Sequence, residues 1–425
     1  MTVDLIIKNC KIWYKKKTLA FGLAVNEGKI VSISKDIRLP KSDKRINCKG
    51  KIVLPGLIDV HVHFREPGFT WKENWSTGSK AAAHGGITHV MDMPNTDPPT
   101  TTIKDIIEKK ELAKKSVVNF GIYAGILKEN IDNIKELTNY CDAFKIYMSE
   151  STGGLKLDDN VLLMKAFSNA SKTNKVVCVH AENQAINEHY LRLHRKSTDP
   201  FEYSLARPIE SEVLAIKDAI EIARQTKVKL HVCHVTTKEG LNLIRKAKKD
   251  VDITCETCPH YLFMTQYDMK EKGTLAKINP PLRTKEDQIA LWKGISNRTI
   301  DILASDHAPH TMQEKLQDIW LAPSGVPGVE TTLQLMLNAV NKRMIKLERL
   351  VELMHENPVK RFGLINYGIE VGKDANLTVI DLKKEWKISN DDLFTKCKWS
   401  PYDGWKGKGM PILTIVNGKI VFNRL

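Results

Sequence analysis

The chain has 425 residues, of which 42% are hydrophobic and 27% are charged, so we exclude a peptide-sized scaffold, a wholly disordered chain and a fibrous repeat. Its 65 Lys and Arg residues against 50 Asp and Glu residues give a formal net charge of +15. The lysines are scattered, and the densest run, at 15–17, lacks the interleaved aromatic side chains of a nucleic-acid-binding surface. We therefore expect no nucleic-acid partner.

No uncharged apolar run approaches the length of about 18 residues that spans a membrane. The first residues, MTVDLIIKNC, contain no long apolar signal core, and the cysteines lie mostly within apolar runs. We therefore expect a cytoplasmic protein without a membrane partner.

Both ends of the chain alternate apolar and polar residues in short stretches, with Gly and Asn at the turns, as small antiparallel strands do. The phrase VNEGKIV near the start has a counterpart, VNGKIVF, near the end. Neither end alone has enough strands to bury a core. Residues 1–54 and 369–425 are therefore predicted to pair into one small β-sandwich domain.

Residues 55–368 alternate short apolar runs with longer charged segments of helical periodicity, such as SEVLAIKDAIEIARQ. The runs, in chain order, are GLIDVHVHF, ITHVMDM, VVNFGIYAGI, AFKIYMS, KVVCVHAE, KLHVCHV, DITCETC and DILASDHAP. Eight strand–helix units over about 310 residues match the number and size of an α/β fold, the (β/α)8 TIM barrel. A doubly wound open sheet is the competing architecture, and both folds place chemistry at the carboxyl ends of the strands.

Potential metal ligands recur at these strand ends. Asp59, His61 and His63 are spaced by two in the first run, so on a strand they point to one face. Further ligand types end the fifth, sixth and eighth runs: His180, His234 and Asp306. In a closed barrel these histidines and Asp306 would converge, with nitrogen and carboxylate donors suited to zinc or a similar divalent ion. Buried, hydrogen-bonded histidines are the alternative.

Five protein ligands exceed what one catalytic zinc with an open position requires, which indicates two ions and a bridging ligand. The fourth run has no carboxylate at its centre, but it has Lys145 between Phe144 and Ile146. Burial beside two dications disfavours an ammonium group, so we expect a neutral amine that takes up carbon dioxide as a bridging carbamate. A lysine that reaches solvent or forms an ion pair is the alternative.

Several phrases resemble the dihydroorotases of the amidohydrolase superfamily, and the resemblance covers essentially the whole chain. They are DVHVHFREPG (59–68), MPNTDPPT (93–100), FKIYMSES (144–151), HAEN (180–183), CHV (233–235), NPPLR (279–283), SDHAPH (305–310) and GVPGVET (325–331). The resemblance implies a metal-dependent hydrolase that interconverts N-carbamoyl-L-aspartate and dihydroorotate in pyrimidine (UMP) biosynthesis.

The resemblance also implies a ligand set for two divalent ions, with zinc the expected metal and a hydroxide between them. It assigns His61, His63 and Asp306 to the more buried ion, His180 and His234 to the other, and carbamylated Lys145 to both. Some dihydroorotases lack the lysine and use an aspartate from the following loop, so the presence of Lys145 favours the carbamate. Asp306 is the expected catalytic residue, because it can take the hydroxide's proton and deliver it to the departing ring nitrogen.

Both substrates are anions, and Arg65 lies on the loop just beyond His63, where its planar fork suits a carboxylate. The resemblance adds Asn95 and His310 as donors to that carboxylate, and Asn279 with the Pro327–Gly328 backbone as contacts of the ring amide edges. A surface salt bridge for Arg65 and an Asx turn for Asn95 are the alternatives.

Two further segments carry open interpretations. The loop at 149–154, SESTGG, could fold over the substrate or be a plain connection. CETC at 255–258 lacks the second half of a zinc site, and we interpret it as part of the seventh strand. Glu256 within it is a candidate either for contacting a metal ligand or for binding a metal ion itself.

Alternatives remain for the function and for the assembly of the chain. An allantoinase or hydantoinase would use the same ions on another cyclic ureide, but Arg65 and Asn95 favour dihydroorotate. A non-catalytic subunit that supports aspartate transcarbamoylase is disfavoured because none of the six ligand positions is lost. A homo-oligomer and a complex with aspartate transcarbamoylase both fit the resemblance.

Overall fold

The computed structural model describes residues 2–150 and 154–425, which form two sheets and their surrounding helices. The strands are β1 (Thr2–Tyr14), β2 (Lys17–Leu19), β3 (Gly22–Asn26), β4 (Lys29–Ser34), β5 (Lys41–Pro55), β6 (Leu57–Val62), β7 (Ile87–Asp92), β8 (Asn119–Gly125), β9 (Ala143–Tyr147), β10 (Val176–His180), β11 (Lys229–Val232), β12 (Ile253–Thr257), β13 (Ile302–Leu303), β14 (Leu377–Lys387), β15 (Lys406–Val416) and β16 (Lys419–Asn423).

The helices lie mainly between the strands of the second sheet. They are α1 (Trp75–His84), α2 (Ile103–Ala113), α3 (Ile134–Leu137), α4 (Asn160–Ser171), α5 (Gln184–His194), α6 (Glu202–Leu205), α7 (Ile209–Thr226), α8 (Lys238–Ala247), α9 (Pro259–Phe263), α10 (Asp268–Lys272), α11 (Lys285–Ser296), α12 (Met312–Lys315), α13 (Thr332–Asn341), α14 (Leu347–Val351) and α15 (Asn357–Phe362). A π-helical turn, Glu352–Glu356, joins the last two. The segment SEVLAIKDAIEIARQ falls within α7, as its periodicity predicts.

Strands β6 to β13 pair in parallel and in chain order. The first and last strands meet through a bridge between Val62 and His307, and the N–H of His63 donates to the His307 carbonyl oxygen at 2.8 Å. The N–H of Ser305 donates to the carboxylate of Asp59 at 3.1 Å. The sheet therefore closes, and the predicted (β/α)8 barrel is confirmed over the open sheet.

The strict alternation expected for the first barrel strand does not hold. Ile58 and Val60 belong to a core cluster that also takes side chains such as Met91 and Cys178 from other barrel strands. Simple alternation would then turn His61 away from the barrel interior. The β6–β7 register shifts between Asp59 and Val62, and such an irregularity redirects a side chain. His61 therefore reaches the same cavity as His63.

The other sheet has the order β16–β15–β14–β5–β1–β3–β4, with β2 paired to β1. Strand β14 pairs with β5, so both chain ends contribute to one β unit, as predicted. Most pairs are antiparallel, but β1 and β5 run parallel because the chain returns through β3 and β4 before β5 begins. The domain limits 1–54 with 369–425 and 55–368 remain a prediction.

Two other findings concern the described residues. All eight cysteines are buried and free, without disulfides. No described helix is both long enough and apolar enough to span a bilayer.

Candidate active site

A cavity enclosing about 470 Å³ of empty space, part of it open to solvent, lies beyond the carboxyl ends of the barrel strands. Most of the predicted site residues line it: His61, His63, Arg65, Asn95, His180, His234, Asn279 and Asp306. The barrel therefore brings together side chains that are up to about 250 positions apart in the chain.

Three of these residues have backbones in the left-handed region, which side chains other than Gly rarely adopt. Their φ angles are +63° at Arg65, +35° at His234 and +45° at Asp306. Each lies two or three residues after the end of a barrel strand and lines the cavity. Backbone strain of this kind concentrates at functional sites.

The carboxylate of Asp306 contacts two imidazoles at once. Its Oδ1 lies 3.1 Å from Nε2 of His63 and 3.3 Å from Nε2 of His61. Burial raises the pKa of Asp306, but the opposing effect of His61 and His63 is larger, so that its pKa lies well below the usual value. Asp306 is therefore ionised and faces the nitrogens expected to bind the first ion.

In His61 and His63, the ring nitrogen that does not face Asp306 contacts an oxygen acceptor. His61 Nδ1 donates to Oε1 of Glu256, and His63 Nδ1 lies 2.6 Å from Oδ1 of Asn95. Glu256 also accepts from Nε2 of His231 at 3.1 Å. A proton on Nδ1 leaves Nε2 with a free lone pair, which is the arrangement that orients metal-binding histidines.

His180 and His234 form a second pair. Nδ1 of His180 lies 3.0 Å from Nε2 of His234, and Nε2 of His180 donates to Glu182 at 2.7 Å. Arg207 holds Glu182 through two nitrogens, one at 3.0 Å. Burial is the largest cause that lowers the pKa of both histidines, and the charge of Lys145 lowers both further. Neutral imidazoles with a free nitrogen are the form that binds a metal.

Lys145 is fully buried on β9, which excludes a solvent-reaching lysine. Its Nζ lies 3.0 Å from Sγ of Cys233 and 5.0 Å from the ring centre of Tyr147. Burial, the largest single cause, lowers the pKa of Lys145, but Cys233, Cys178 and Glu256 together raise it by more, so the net shift is upward. The sequence pattern did not reveal this thiol beside the amine.

The donor set fits divalent transition ions. Ligand atoms of His61, His234 and Asp306 all lie within 4.8 Å of one another, and the three residues are buried. Four imidazoles and one carboxylate suit zinc. In His61, His63 and His180, one ring nitrogen contacts an oxygen acceptor, which leaves the other nitrogen for a metal. Nδ1 of His234 is buried without a hydrogen-bond partner among the described residues.

Arg65 is 2% exposed, so the alternative of a surface salt bridge is wrong. Its Nε donates to the Pro309 carbonyl oxygen at 3.2 Å, and its Nη2 lies 3.1 Å from Nε2 of His310. Its Nη1 is buried and has no partner within residues 2–150 and 154–425. One donor of a fixed guanidinium group is therefore available to an anion in the cavity.

Some predicted substrate contacts lie elsewhere. His310 is fully buried behind Arg65, and its Nδ1 lies 3.0 Å from Nζ of Lys72. The N–H of Gly328 donates to Nδ1 of His307 at 3.1 Å, and neither His310 nor Pro327–Gly328 is among the described residues that line the cavity. Ser324 and Gly325 form that part of the wall instead. Asn279 lines the cavity as predicted, and its Oδ1 accepts from the hydroxyl of Tyr203 at 2.6 Å.

Sequence reasoning missed the roles of Glu182, Arg207 and Tyr147. Glu182 and Tyr147 each lie two positions beyond a proposed ligand, His180 or Lys145, and this spacing could have indicated them. Arg207 carries no such signal. The predicted substrate-covering loop at 149–154 includes residues 151–153, which lie outside the described residues.

CETC does not form a zinc pair. The thiol of Cys255 contacts the Thr299 carbonyl oxygen at 3.4 Å, and Cys258 is buried at the start of α9. Glu256, between them, faces His61 and His231.

Comparisons with known proteins agree with this geometry. The sequence pattern of the amidohydrolase family matches residues 52–421. A dihydroorotase of Methanosarcina mazei is 41% identical over 99% of this chain and 94% of that protein. A dihydroorotase of Pyrococcus furiosus is 39% identical over 98% of this chain and 92% of that protein. A solved L-hydantoinase (dihydropyrimidinase) from Arthrobacter aurescens covers 99% of this chain and 96% of its own, with a TM-score of 0.95 and 33% identity. The chain belongs to the amidohydrolase family.

Proposed function

We propose that this chain is a dihydroorotase, which cyclises N-carbamoyl-L-aspartate to (S)-dihydroorotate and water, reversibly, in pyrimidine (UMP) biosynthesis. Relatives named dihydroorotase, which match nearly its full length, support the proposal. The observation that carries it is the buried Arg65, which has a free Nη1 and lines the same cavity as five of the six proposed metal ligands, all but Lys145. Such a donor suits a substrate that is a cyclic amide and also a carboxylate.

The proposed centre holds two divalent ions, with zinc the expected metal. Its ligands are His61, His63 and Asp306 for one ion, His180 and His234 for the other, and carbamylated Lys145 for both. When bound, the ions would supply a hydroxide at neutral pH and polarise the amide carbonyl. Lys145, whose Nζ now contacts Cys233, would reach the carbamate form by losing one proton to become an amine and a second proton as Nζ bonds to the carbon of carbon dioxide.

The chain's own residues would carry the proton and hold the substrate. Asp306, ionised and 9% exposed, would accept a proton at a carboxylate oxygen and return it to the ring nitrogen as the amide bond breaks. Arg65 and Asn95 would bind the substrate carboxylate, and Asn279 would contact the ring amide. Because Pro309 and His310 already fix Arg65, little reorganisation is needed on binding.

A hydantoinase-type activity is the second candidate, since the fold of the L-hydantoinase matches this one closely. Hydantoin has no carboxylate, however, and offers Nη1 of Arg65 no anionic acceptor. The free guanidinium donor therefore favours dihydroorotate.

The test is a comparison of turnover by the purified protein on dihydroorotate, N-carbamoyl-L-aspartate, hydantoin and allantoin. We expect ring opening of the first and cyclisation of the second, with much weaker activity on the other two. Higher kcat/KM on hydantoin or allantoin would contradict the proposal. No cyclisation together with no bound divalent ion would indicate the non-catalytic subunit instead.

The proposal extends to a cytoplasmic location and to assembly. The enzyme family acts on small molecules, and both a homo-oligomer and a complex with aspartate transcarbamoylase are compatible with the site. Light scattering of the chain alone and mixed with aspartate transcarbamoylase separates these two forms.

A further inference from the structure

Two buried hydrogen-bond donors on the cavity wall have no partner among the described residues: Oη of Tyr147 and Nη1 of Arg65. Both side chains line the same cavity, and Tyr147 is only 4% exposed. A buried donor without an acceptor costs free energy, which a ligand that supplies the acceptor can recover. An unpaired donor at this place therefore indicates what the cavity binds.

Other buried tyrosines of the barrel do not share this feature. The hydroxyl of Tyr123 donates to the Val60 carbonyl oxygen at 2.9 Å, and that of Tyr261 donates to the Pro280 carbonyl oxygen at 2.7 Å. The hydroxyl of Tyr203 donates to Asn279. Tyr147 thus differs from these three residues in a way that burial alone does not explain.

The position of Tyr147 follows from β9. Tyr147 lies two residues beyond Lys145, so both side chains leave the strand on the same face. Its ring centre is 5.0 Å from Nζ of Lys145 and 6.1 Å from the ring centre of His180. The ring is therefore packed beside the proposed metal ligands, in a residue that lines the cavity.

The Nη1 end of Arg65 is the part of the guanidinium group that has no protein acceptor among the described residues. Its Nε and Nη2 already contact Pro309 and His310, which leaves Nη1 as the free end. The two oxygens of a carboxylate offer about four acceptor sites, which is more than the two N–H groups of Nη1 can fill. Asn95 is one proposed further donor, and each additional donor that the cavity supplies stabilises a buried carboxylate.

We propose that the hydroxyl of Tyr147 donates to the substrate carboxylate beside Nη1 of Arg65, and that Tyr147 thereby selects substrates that carry this group. The inference rests on the proposed dihydroorotase function. A protonated phenol is a donor, as a carboxylate requires.

The test is the Tyr147→Phe variant, which removes one oxygen and keeps the ring. Because Oη has no protein partner to lose among the described residues, the variant should fold and keep its metal content. We expect KM for dihydroorotate and for N-carbamoyl-L-aspartate to rise about tenfold, with kcat within about twofold of the parent. The exposed Tyr140→Phe exchange is the matched control and should change neither constant.

A second measurement uses two planar inhibitors, orotate and uracil, which share a ring and differ in the carboxylate. Tyr147→Phe should weaken orotate inhibition about tenfold and leave uracil inhibition unchanged. Equal weakening of both inhibitors, an unchanged KM, or a fall in kcat at constant KM would overturn the inference. If the parent protein does not turn over dihydroorotate, the proposed function fails. If the parent does so and the Tyr147→Phe variant has the same constants as the parent, the proposed function stands and only this inference fails.

Discussion

Nδ1 of His63 lies 2.6 Å from Oδ1 of Asn95, so the amide that the resemblance assigns to the substrate also orients a proposed metal ligand. The contact holds the amide oxygen and leaves the amide nitrogen on the cavity wall. Asn95 thus links metal binding to substrate binding, and its two functions reside on different atoms.

Two variants of Asn95 should separate these functions. Asn95→Asp keeps an oxygen acceptor for His63 but loses the amide donor, so we expect near-normal metal content and a KM at least about tenfold higher. Asn95→Ala removes both groups, and metal affinity should also fall by about 10- to 100-fold. Metal content after titration with a chelator, measured with KM, checks both. Equal metal loss in the two variants would show that the His63 contact does not orient the ligand.

Glu256 should support metal binding without being needed as a ligand. Its carboxylate accepts from His61 and His231, and a glutamine can offer only one oxygen to these two donors. We therefore expect Glu256→Gln to lower metal affinity by about 10- to 100-fold. Glu239→Gln, on the exposed first turn of α8, is the control. Metal affinity equal in both variants would be incompatible with this role.

Arg65→Lys keeps a positive charge but loses the rigid fork. A lysine cannot contact Pro309, His310 and the substrate at once, so we expect KM for dihydroorotate to rise by about tenfold or more. Steady-state kinetics with dihydroorotate measure the effect, and Arg224→Lys on the surface is the control. An unchanged KM would mean that Arg65 does not contact the carboxylate.

The ion pair of Lys109 and Asp92 should stabilise the barrel beside the site. Lys109 Nζ lies 2.6 Å from Asp92 Oδ2, both side chains are 0% exposed, and Asp92 also accepts from the N–H of Phe64, the residue after His63. Lys109→Met leaves a buried carboxylate unpaired and should lower the free energy of unfolding by about 3–5 kcal/mol. The double variant Lys109→Met with Asp92→Asn should recover part of this loss. Urea unfolding measures both, and a loss below about 1 kcal/mol in the single variant would refute the assignment.

Much of the barrel and its ligands was predictable from local pattern. The apolar runs gave the number of strands, and parallel strands in a closed barrel bring their carboxyl ends together, which places His61, His180 and Asp306 in one cavity. The spacing of residues along the chain predicted side-chain direction wrongly where a strand departs from regular geometry. The register shift at Asp59–Val62 is one such place, since nothing in the alternation of the first run required it.

The contacts behind the ligands were harder to predict, because they join residues distant in the chain. Arg207 meets Glu182 across 25 positions, and Lys145 meets Cys233 across 88. No periodicity encodes such pairs. The Gly328 backbone was expected at the substrate, but it donates to His307 and is used within the fold.

The most direct test of the account is anomalous scattering from crystals grown with zinc and bicarbonate, together with the electron density at Lys145. We expect two anomalous peaks, one among His61, His63 and Asp306 and one between His180 and His234, with density for a carboxyl group on Nζ of Lys145. A single peak, no peak, or two peaks beside an unmodified Lys145 would contradict the proposed centre.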